Sequence, residues 1–583
     1  NPYVTCGAEN IRADKAVLRH DPYAEAFPWR NALLALHLLR IGSITLQAFT
    51  VAGVYAIARR VLPNRPGLSA LAAALTAFNP QFLIVAGSVN NDNIATPVIT
   101  WALYLCVIAA QAGLTLRRSI TLGVLIGLAA LSKLTGLLLL PTVALAWIGN
   151  FKSARRNPKS TIQNLLMLGG VTLVVGGWWY IRNWLLYGDP TGLAPMLDIV
   201  GRRGPVPLNL LISELGLVFR SYWGQFPCAF FDSSPYYTAW AIIALLGATG
   251  LAIGLFRNTL AHLSRFSLYI LLAWFAMVLF GWLRWNLTTP APGGRLLFSA
   301  AGATSTLLAF GLISLFSLVP RRFTFDVSRF TPYISPAFMA AVALLALFLW
   351  VRPLFAPPPM VDLARVTPQH PLKAHLGESI ELLGYDLRAD NLGPGRYVEV
   401  TLYWRTRQRL ATDYTLAIQL AAPAPGDNRT LLNFNTWPGR GNLPTAAWPV
   451  NQILADRYRI PLPLDTGVTQ SWRLAVILYD ALADARLPLT LDGRPGGDVL
   501  TLALVRVAGS KIDTLSASAR RPAPVTFEQS IALTHAQTSV QADGVHIQLM
   551  WQSLKPLPQD VTVFVHAYDS AGKLVATSDG PPM

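Results

Sequence analysis

Charge is scarce in this chain. Only 13% of its 583 residues are Asp, Glu, Lys or Arg, against 53% hydrophobic. A soluble domain carries about 25% charged residues, so a single soluble globule is excluded. Cysteine is nearly absent, with Cys6, Cys106 and Cys228 as the full set. Three cysteines do not build a disulfide framework. Cys106 lies in an apolar run, whereas Cys6 and Cys228 fall on one side of the topology derived below and could pair. Clustered metal ligands are also missing: His20, His37, His535, His546 and His566 show no metal-site spacing. No signal peptide is visible.

Apolar runs are abundant. Runs of about 20 residues, the length that crosses a bilayer, recur through the first 350 or so positions. Spans are predicted at about 32–58, 68–86 and 94–114. Residues 119–150 are too long for one crossing and read as an up-and-down pair split at Ser132-Lys133. Further spans fall at about 161–180, 237–256, 266–284, 296–318 and 334–352, about ten in all. Residues 181–235 read as a long loop rich in Pro, Gly and aromatics.

The formal net charge of +17 could indicate nucleic acid, but its distribution argues otherwise. Arg59/Arg60/Arg65, Arg117/Arg118, Lys152 to Lys159, Arg257/Arg265 and Arg321/Arg322 are short clusters between apolar runs. All fall on one face if Asn1 lies outside, as the positive-inside rule requires. The loops near Asp92 and Lys133, with residues 181–235 and 285–295, then face outward. The chain is therefore expected in the cytoplasmic membrane as a multi-pass protein, its C-terminal β-domains outside, with the bilayer and no nucleic acid as its partner.

The stretch from Asn79 to Lys133 concentrates the polar chemistry. Asn79-Pro80 and Gly87-Ser88-Val89-Asn90-Asn91-Asp92-Asn93 separate apolar segments, and Ser132-Lys133 interrupts another. A charge at bilayer depth costs about 2.5–3.5 kcal/mol on insertion scales, so such residues suggest function. The plain alternatives are a loop cap for Asp92 and a Lys133 that snorkels to the interface. Asp92 and Lys133 are expected to face one outward cavity.

Composition changes after Trp350. Pro353 and Pro357-Pro358-Pro359 form a stiff linker. The boundaries read as an external loop at 1–30, a membrane domain at 31–353, a linker at 354–369, a β-sandwich at 370–508, a second linker at 509–524 and a truncated second sandwich at 525–583. Alternating segments such as Tyr397-Val398-Glu399-Val400-Thr401-Leu402-Tyr403-Trp404 indicate antiparallel strands. Leu402-Tyr403-Trp404 and Leu549-Met550-Trp551 each precede an Asp-led strand nine residues after the Trp, at Asp413 and Asp560. Two copies of one sandwich are predicted. Trp437 or Trp448 could stack on sugars, though core packing is the commoner fate of a sandwich Trp. Asn286-Leu287-Thr288 and Asn428-Arg429-Thr430 match the glycosylation pattern.

The membrane part resembles the GT-C superfamily of glycosyltransferases, and within it family 39, the protein O-mannosyltransferase and lipid A aminoarabinose transferase group. The matching stretches begin with His37-Leu38-Leu39-Arg40-Ile41-Gly42-Ser43, Asn79-Pro80 and Val89-Asn90-Asn91-Asp92. They continue with Gly127 to Gly136, Trp178-Trp179-Tyr180-Ile181-Arg182-Asn183, Tyr187-Gly188-Asp189-Pro190 and Gly294-Arg295-Leu296-Leu297-Phe298. The resemblance implies an inverting transfer of sugar from a polyprenyl-phosphate donor to a protein, lipid or glycan acceptor at the outer membrane face. A divalent metal cofactor stays open, with its ligands unknown.

The family's second acid maps onto Asp92, with Lys133 as its catalytic companion. The family's arginine near the start of its second span maps onto Arg40. Arg40, Arg182 and Arg295 would meet the donor phosphate, since guanidinium groups suit bidentate phosphate contact. For Arg182 and Arg295, outer-leaflet headgroups are the simpler partner. Asn90, Asn91, Asn183, Tyr187 and Asp189 would line the same cavity. The family's Gly-Arg-Tyr-Leu-x-Pro pattern appears as Gly294-Arg295-Leu296-Leu297-Phe298-Ser299, without its Tyr and Pro. The family also places a main catalytic Asp in the first external loop. Asp14, Asp21 and Glu25 do not occupy that position, so the resemblance puts this Asp upstream of Asn1.

The chain opens with Asn1 in a polar stretch and stops at a turn of the second repeat. An earlier span, later strands and an inactive fragment are expected. Two rivals remain: a transporter, disfavoured because no internal membrane repeat is found, and a non-catalytic envelope protein that binds glycans.

Overall fold

The structure is a computed structural model. It describes residues 25–63, 65–149, 158–224, 234–257, 265–291, 293–316, 327–362, 364–423, 429–463, 465–467, 469–510, 525–541, 544–555, 561–569 and 571–580. Asn1, Cys6, Asp14, Asp21, Cys228 and Asn428 lie outside the described residues. The external loop expected from Asn1 to Arg30 is therefore described only from Glu25 onward. Pro28–Leu354 forms one compact unit, and Phe355–Met583 belongs to the other.

The first unit is helical. Its early elements are α1 (Asn31–Val61), α2 (Pro66–Ala77), α3 (Pro80–Ala86), α4 (Asp92–Ala112), α5 (Leu116–Ser132) and α6 (Leu139–Gly149). They are followed by α7 (Pro158–Thr172), α8 (Trp178–Tyr187), α9 (Leu193–Val200) and α10 (Leu208–Gly224). The last are α11 (Ser234–Arg257), α12 (Arg265–Thr288), α13 (Ala301–Phe316) and α14 (Val327–Ala346). Among the described residues six helices are long and apolar enough to cross a membrane, or seven with the bent α2–α3 pair. The unit is thus a multi-pass membrane domain.

Two sequence expectations are corrected here. The segment predicted to end at Tyr180 runs on as a span from Lys159 to Tyr187, through a π-helical turn at Leu173–Gly177. Arg182, Asn183 and Tyr187 therefore sit on a helix. The supposed loop after it contains α9 and α10. The span predicted at about 68–86 is broken at Asn79-Pro80 by a 63° bend between α2 and α3. Proline removes a backbone donor there, and Asn79 Oδ1 accepts instead from Gln81 N (2.9 Å) and Phe82 N (3.2 Å).

The core of this unit is a continuous apolar cluster, with Ile57, Ile99, Leu103, Trp274 and Phe310 almost fully buried.

The other unit is antiparallel β. Strands β1 (Met360–Val361), β2 (His370–Leu376), β3 (Ile380–Arg388), β4 (Tyr397–Thr406), β5 (Thr415–Ala421) and β6 (Thr430–Thr436) come first. Then follow β7 (Ile453–Pro461), β8 (Gln470–Asp480), β9 (Ala485–Arg486), β10 (Leu489–Leu491), β11 (Arg494–Pro495) and β12 (Leu500–Val507). One sheet has the order β1-β7-β4-β3-β2-β10-β11, and its mate has β12-β8-β5-β6. The supposed linker at 354–369 contributes a strand, since β1 pairs with β7. Trp448 is core: it is buried beside Trp404 and donates Nε1 to the Leu443 carbonyl.

The repeat is visible in the strand pairing. β13 (Val525–Phe527), β14 (Ile531–Gln541) and β15 (Gly544–Ser553) form one sheet, and β16 (Val563–Tyr568) with β17 (Leu574–Gly580) another. This is the arrangement of β2-β3-β4 and β5-β6. Leu382 faces Trp404 and Leu533 faces Trp551, each with a register shift directly after.

Asp456 on β7 is buried, accepting from Gly439 N (2.9 Å) and from the Tyr458 hydroxyl (2.5 Å). Burial pushes its carboxyl up to about 6. A folded-state value above the unfolded one means the folded chain holds the extra proton. Stability is then fully present below the unfolded value and falls as pH rises through about 6. Asp456→Asn should raise the sandwich melting temperature at pH 7.5 but change it little at pH 4.5, with a ceiling of about 3 kcal/mol. Equal shifts at both pH values would contradict this.

Candidate active site

The site is built around the loop joining α3 to α4. Asn90 Oδ1 accepts from Asp92 N (2.8 Å), and its Nδ2 donates to Ser88 Oγ (2.5 Å). Asn93 donates Nδ2 to the Ser88 carbonyl at 2.5 Å. From α1, Gln47 Nε2 reaches Asn93 Oδ1 (2.9 Å) and the Asp92 carbonyl (3.3 Å). Thr50 Oγ1 in turn donates to Gln47 Oε1 (2.9 Å). Short side-chain amides thus replace the backbone partners that a loop inside an apolar bundle lacks.

This network sets Asp92 as the first residue of α4, where the helix dipole favours a carboxylate. Lys133 lies at the break between α5 and a 3-10 turn at Leu134–Leu138, in extended conformation. Asn91 Nδ2 joins the two segments by donating to the Ser132 carbonyl (3.0 Å). Lys133 Nζ then meets Asp92 Oδ1 at 2.7 Å. Their side chains are only 15% and 6% exposed, so the pair is largely desolvated. Gly136 lets the chain fold back here, because a Cβ would collide with the Ala129 carbonyl. Tyr180 fixes the same end of α5 by donating to the Ala130 carbonyl at 2.7 Å.

Two further elements close around this frame. Asn79 Nδ2 donates to the Tyr222 carbonyl of α10 at 2.9 Å. A 3-10 turn at Gly294–Ala300 packs on α10, with Gly294 N donating to Ser221 Oγ (2.7 Å). A Cβ on Gly294 would collide with the Tyr222 backbone, so glycine is required for this approach. Thr135 and Ser299 hydroxyls meet at 3.3 Å, linking the two 3-10 turns.

The arginines are placed differently. Arg40 is half-buried on α1, on the face that carries Ser43, Gln47 and Thr50, about 10 Å along the axis from Gln47. Its Nε is buried without a hydrogen-bond partner among the described residues. Arg295 is exposed at the start of its 3-10 turn. Arg182 is exposed, lies 5.0 Å from the Trp179 ring centre, and donates to Asn183 Oδ1 at 3.3 Å. Asn183 is buried and donates to the Pro190 carbonyl, whereas Tyr187 is half-exposed. Asp189 is engaged locally. Its Oδ1 accepts from Thr191 Oγ1 (2.6 Å) and Thr191 N (2.8 Å), and its Oδ2 from Ala194 N (2.9 Å). The Thr191 hydroxyl and these amides hold its carboxyl down at about 2.

One expected member of the site is not among these residues. The main catalytic Asp was expected upstream of Asn1, and Asn1 itself lies outside the described residues. Asp92 is the carboxylate that the described residues bring to Lys133.

Sequence reasoning missed Gln47, Asn93 and Tyr180. Gln47 and Thr50 left a readable trace, as polar residues seven and ten positions after Arg40 in an apolar helix. It also missed a buried network on α10. Arg203 grips Glu214 with both nitrogens, at 2.6 and 3.0 Å, and donates to the Asn286 carbonyl at 2.9 Å. Asn286 Nδ2 donates to Glu214 Oε2 at 2.7 Å. Asn286 is fully buried, which removes it as a glycosylation acceptor.

Among the described residues no three His, Cys, Asp or Glu side chains gather as metal ligands. The neighbour of Asp92 is a cation rather than a second carboxylate, so these residues do not suit a divalent ion. Two cavities, of about 1050 and 500 Å³, are walled by other residues of the unit and include neither Asp92 nor Lys133. The convergence of buried polar groups, rather than cavity size, marks the site.

The site is thus a buried ion pair set among side-chain amides, within a bundle of helices long and apolar enough to cross a membrane. Residues 36–180 match the family model described as dolichyl-phosphate-mannose-protein mannosyltransferase. That stretch holds Arg40, Gln47, Asn79, the Asn90–Asn93 loop and Lys133. The resemblance to GT-C family 39 is borne out there. No curated protein matches the chain.

Among solved structures, the chain is similar to the oligosaccharyltransferase of Archaeoglobus fulgidus in complex with Zn and sulfate, at 16% identity and a TM-score of 0.25. That similarity covers 52% of this chain and 41% of the other, so the chain spans about two fifths of that relative. It is also similar to ArnT from Cupriavidus metallidurans in the apo state, at 17% identity, 57% and 67% coverage and a TM-score of 0.21. At these TM-scores the family match carries the resemblance.

Proposed function

We propose that the membrane unit transfers a sugar from a polyprenyl-phosphate donor to an acceptor at the outer face of the cytoplasmic membrane. The observation that carries this is the desolvated Asp92–Lys133 pair, held at 2.7 Å within the family-matched stretch. Transfer breaks the bond from the anomeric carbon to the phosphate oxygen and forms one to an acceptor oxygen. The leaving polyprenyl phosphate takes the bonding electrons, and the acceptor proton passes to a base. Lys133 is the cation that offsets charge developing on the leaving phosphate. Asp92, released when Lys133 turns to the phosphate, is the base that takes the proton. Arg40, with its unpartnered Nε, and the exposed Arg295 hold the phosphate, and Arg182 attracts the anionic donor at the interface.

Orientation follows from the helices. Asp92 opens α4, while Arg117 and Arg118 follow its other end, about 30 Å away along a 21-residue helix. Arg59 and Arg60 close α1 at the end opposite Arg40. Basic residues favour the cytoplasmic side, which supports a pair that faces outward.

Binding of radiolabelled polyprenyl-phosphate sugar to the full-length protein in nanodiscs tests the reading. Arg40→Gln and Arg295→Gln should each weaken binding by about tenfold, the loss of one charge-assisted contact worth about 1.5 kcal/mol or more. Affinity unchanged in both variants would remove the arginines from the phosphate site. Donor crossing the bilayer intact, without bond cleavage, would favour a transporter.

A further inference from the structure

In the segment after the span ending at Tyr187, the stretch that carries α9 is held on both sides. At its start, buried Asn183 donates to the Pro190 carbonyl, and the Asp189 carboxylate receives Ala194 N. On the other side of α9, Arg203 N donates to the Thr288 carbonyl (2.8 Å), and Arg203 Nη1 to the Asn286 carbonyl (2.9 Å). Asn183 belongs to the last turn and a half of one span, and Asn286 and Thr288 end another. The eight-residue α9, about 12 Å long, thus runs between the ends of two membrane spans.

Its side chains are sorted. Leu197 is buried against the protein, while Met196, Ile199 and Val200 at i, i+3 and i+4 point away, with Ile199 86% exposed. α10 continues the pattern. Glu214, Val218 and Ser221 are buried, whereas Leu208, Ile212 and Leu215 form an exposed row at i, i+4 and i+7. An exposed apolar surface of this extent marks a contact with another apolar phase.

We propose that α9 and the first half of α10 form an interfacial element, with this apolar face sunk into the lipid leaflet on the Asp92–Lys133 side. The two pins hold it at the level where spans leave the hydrocarbon, which is headgroup depth. Ile181, Trp184 and Leu185, near the end of the preceding span, are also exposed apolar residues. The ion pair of Asp198 with Arg202 (3.0 Å) is solvent-exposed, as an interfacial helix requires of its polar edge. The inference is independent of sugar transfer, because it needs only the bilayer.

Spin labels test it in the full-length protein in nanodiscs, with Cys6, Cys106 and Cys228 replaced by serine. Labels are placed at Ile199→Cys, Ile212→Cys and, as a reference, Asp198→Cys. Collision with dissolved oxygen should exceed collision with a water-soluble nickel chelate several-fold at 199 and 212, and the reverse should hold at 198. Nickel access at 199 and 212 equal to that at 198 would overturn the proposal. Shielding from both reagents would also overturn it, because protein would then cover the face. Hydroxyl-radical oxidation of Met196 in the unsubstituted protein provides a second reading. It should run several-fold slower than for a free methionine peptide, and an equal rate would contradict lipid burial.

Discussion

Lys133→Met lowers sugar transfer by about 10²–10³-fold, the usual cost of removing one preorganised charge donor. The substitution keeps an unbranched stem of similar bulk but deletes the ammonium. Asp92 then faces no cation in a site where its side chain is 6% exposed. A carboxylate left there without its counter-charge turns to other partners or draws in water, and either change displaces the base as well as removing the cation. Lys133→Arg should restore little. The planar guanidinium is longer and forked, and the contact with Oδ1 is made by a single donor at 2.7 Å, at a chain reversal tightened by Gly136. The readout is the initial rate of labelled transfer, with thermal unfolding as the check on folding. A well-folded Lys133→Met protein with undiminished rate would remove Lys133 from the chemistry.

Glu214→Ala has the largest expected effect on stability, about 3–5 kcal/mol, because it strands Arg203 rather than removing both charges. Glu214 is fully buried, and Arg203 is 9% exposed at its side chain. The guanidinium would lose a bidentate partner, and Asn286 Nδ2 would lose its acceptor. The damage reaches the site because α10 also carries the Tyr222 carbonyl bound by Asn79, and Ser221, which receives Gly294 N. Replacing the pair together, with Arg203→Met and Glu214→Leu, should recover most of the loss, since no buried charge is then left without its counter-charge. Melting temperature and yield of folded protein from detergent measure both variants. Equal destabilisation by the single and double replacements would contradict the ion-pair explanation.

The polar stretch was legible in sequence because charge is conspicuous in apolar surroundings. Asp92 and Lys133 stand 41 positions apart and were expected to face one outward cavity, and the structure joins them directly. The sandwich repeat was legible for a different reason: a Trp at a fixed distance from an Asp-led strand survives as the Leu382–Trp404 and Leu533–Trp551 pairs. Other features were hidden by local cues that pointed the wrong way. Trp178-Trp179-Tyr180 resembles an interfacial belt, yet the helix runs on past it to Tyr187, after a π-turn at Leu173–Gly177. Pro and Gly between 181 and 235 suggested a loop, although α10 is a 17-residue amphipathic helix. The worth of Glu214 depends on Asn286, 72 positions away, and no local pattern announces that contact. Asp189 was expected to line the cavity because Tyr187-Gly188-Asp189-Pro190 resembles a family stretch, and its neighbours Thr191 and Ala194 bind both its oxygens.

The most direct test is donor turnover. The full-length protein in nanodiscs is incubated with polyprenyl-phosphate carrying a radiolabelled sugar, with and without a membrane extract as acceptor source, beside the Asp92→Asn protein. The expected result is release of polyprenyl phosphate with the label moved to acceptor, and a loss of about 10²-fold or more in Asp92→Asn protein that is verified to be folded. A donor neither bound, cleaved nor transferred by the unsubstituted protein, or one cleaved at the same rate without the Asp92 carboxylate, would contradict a glycosyl transfer centred on the Asp92–Lys133 pair.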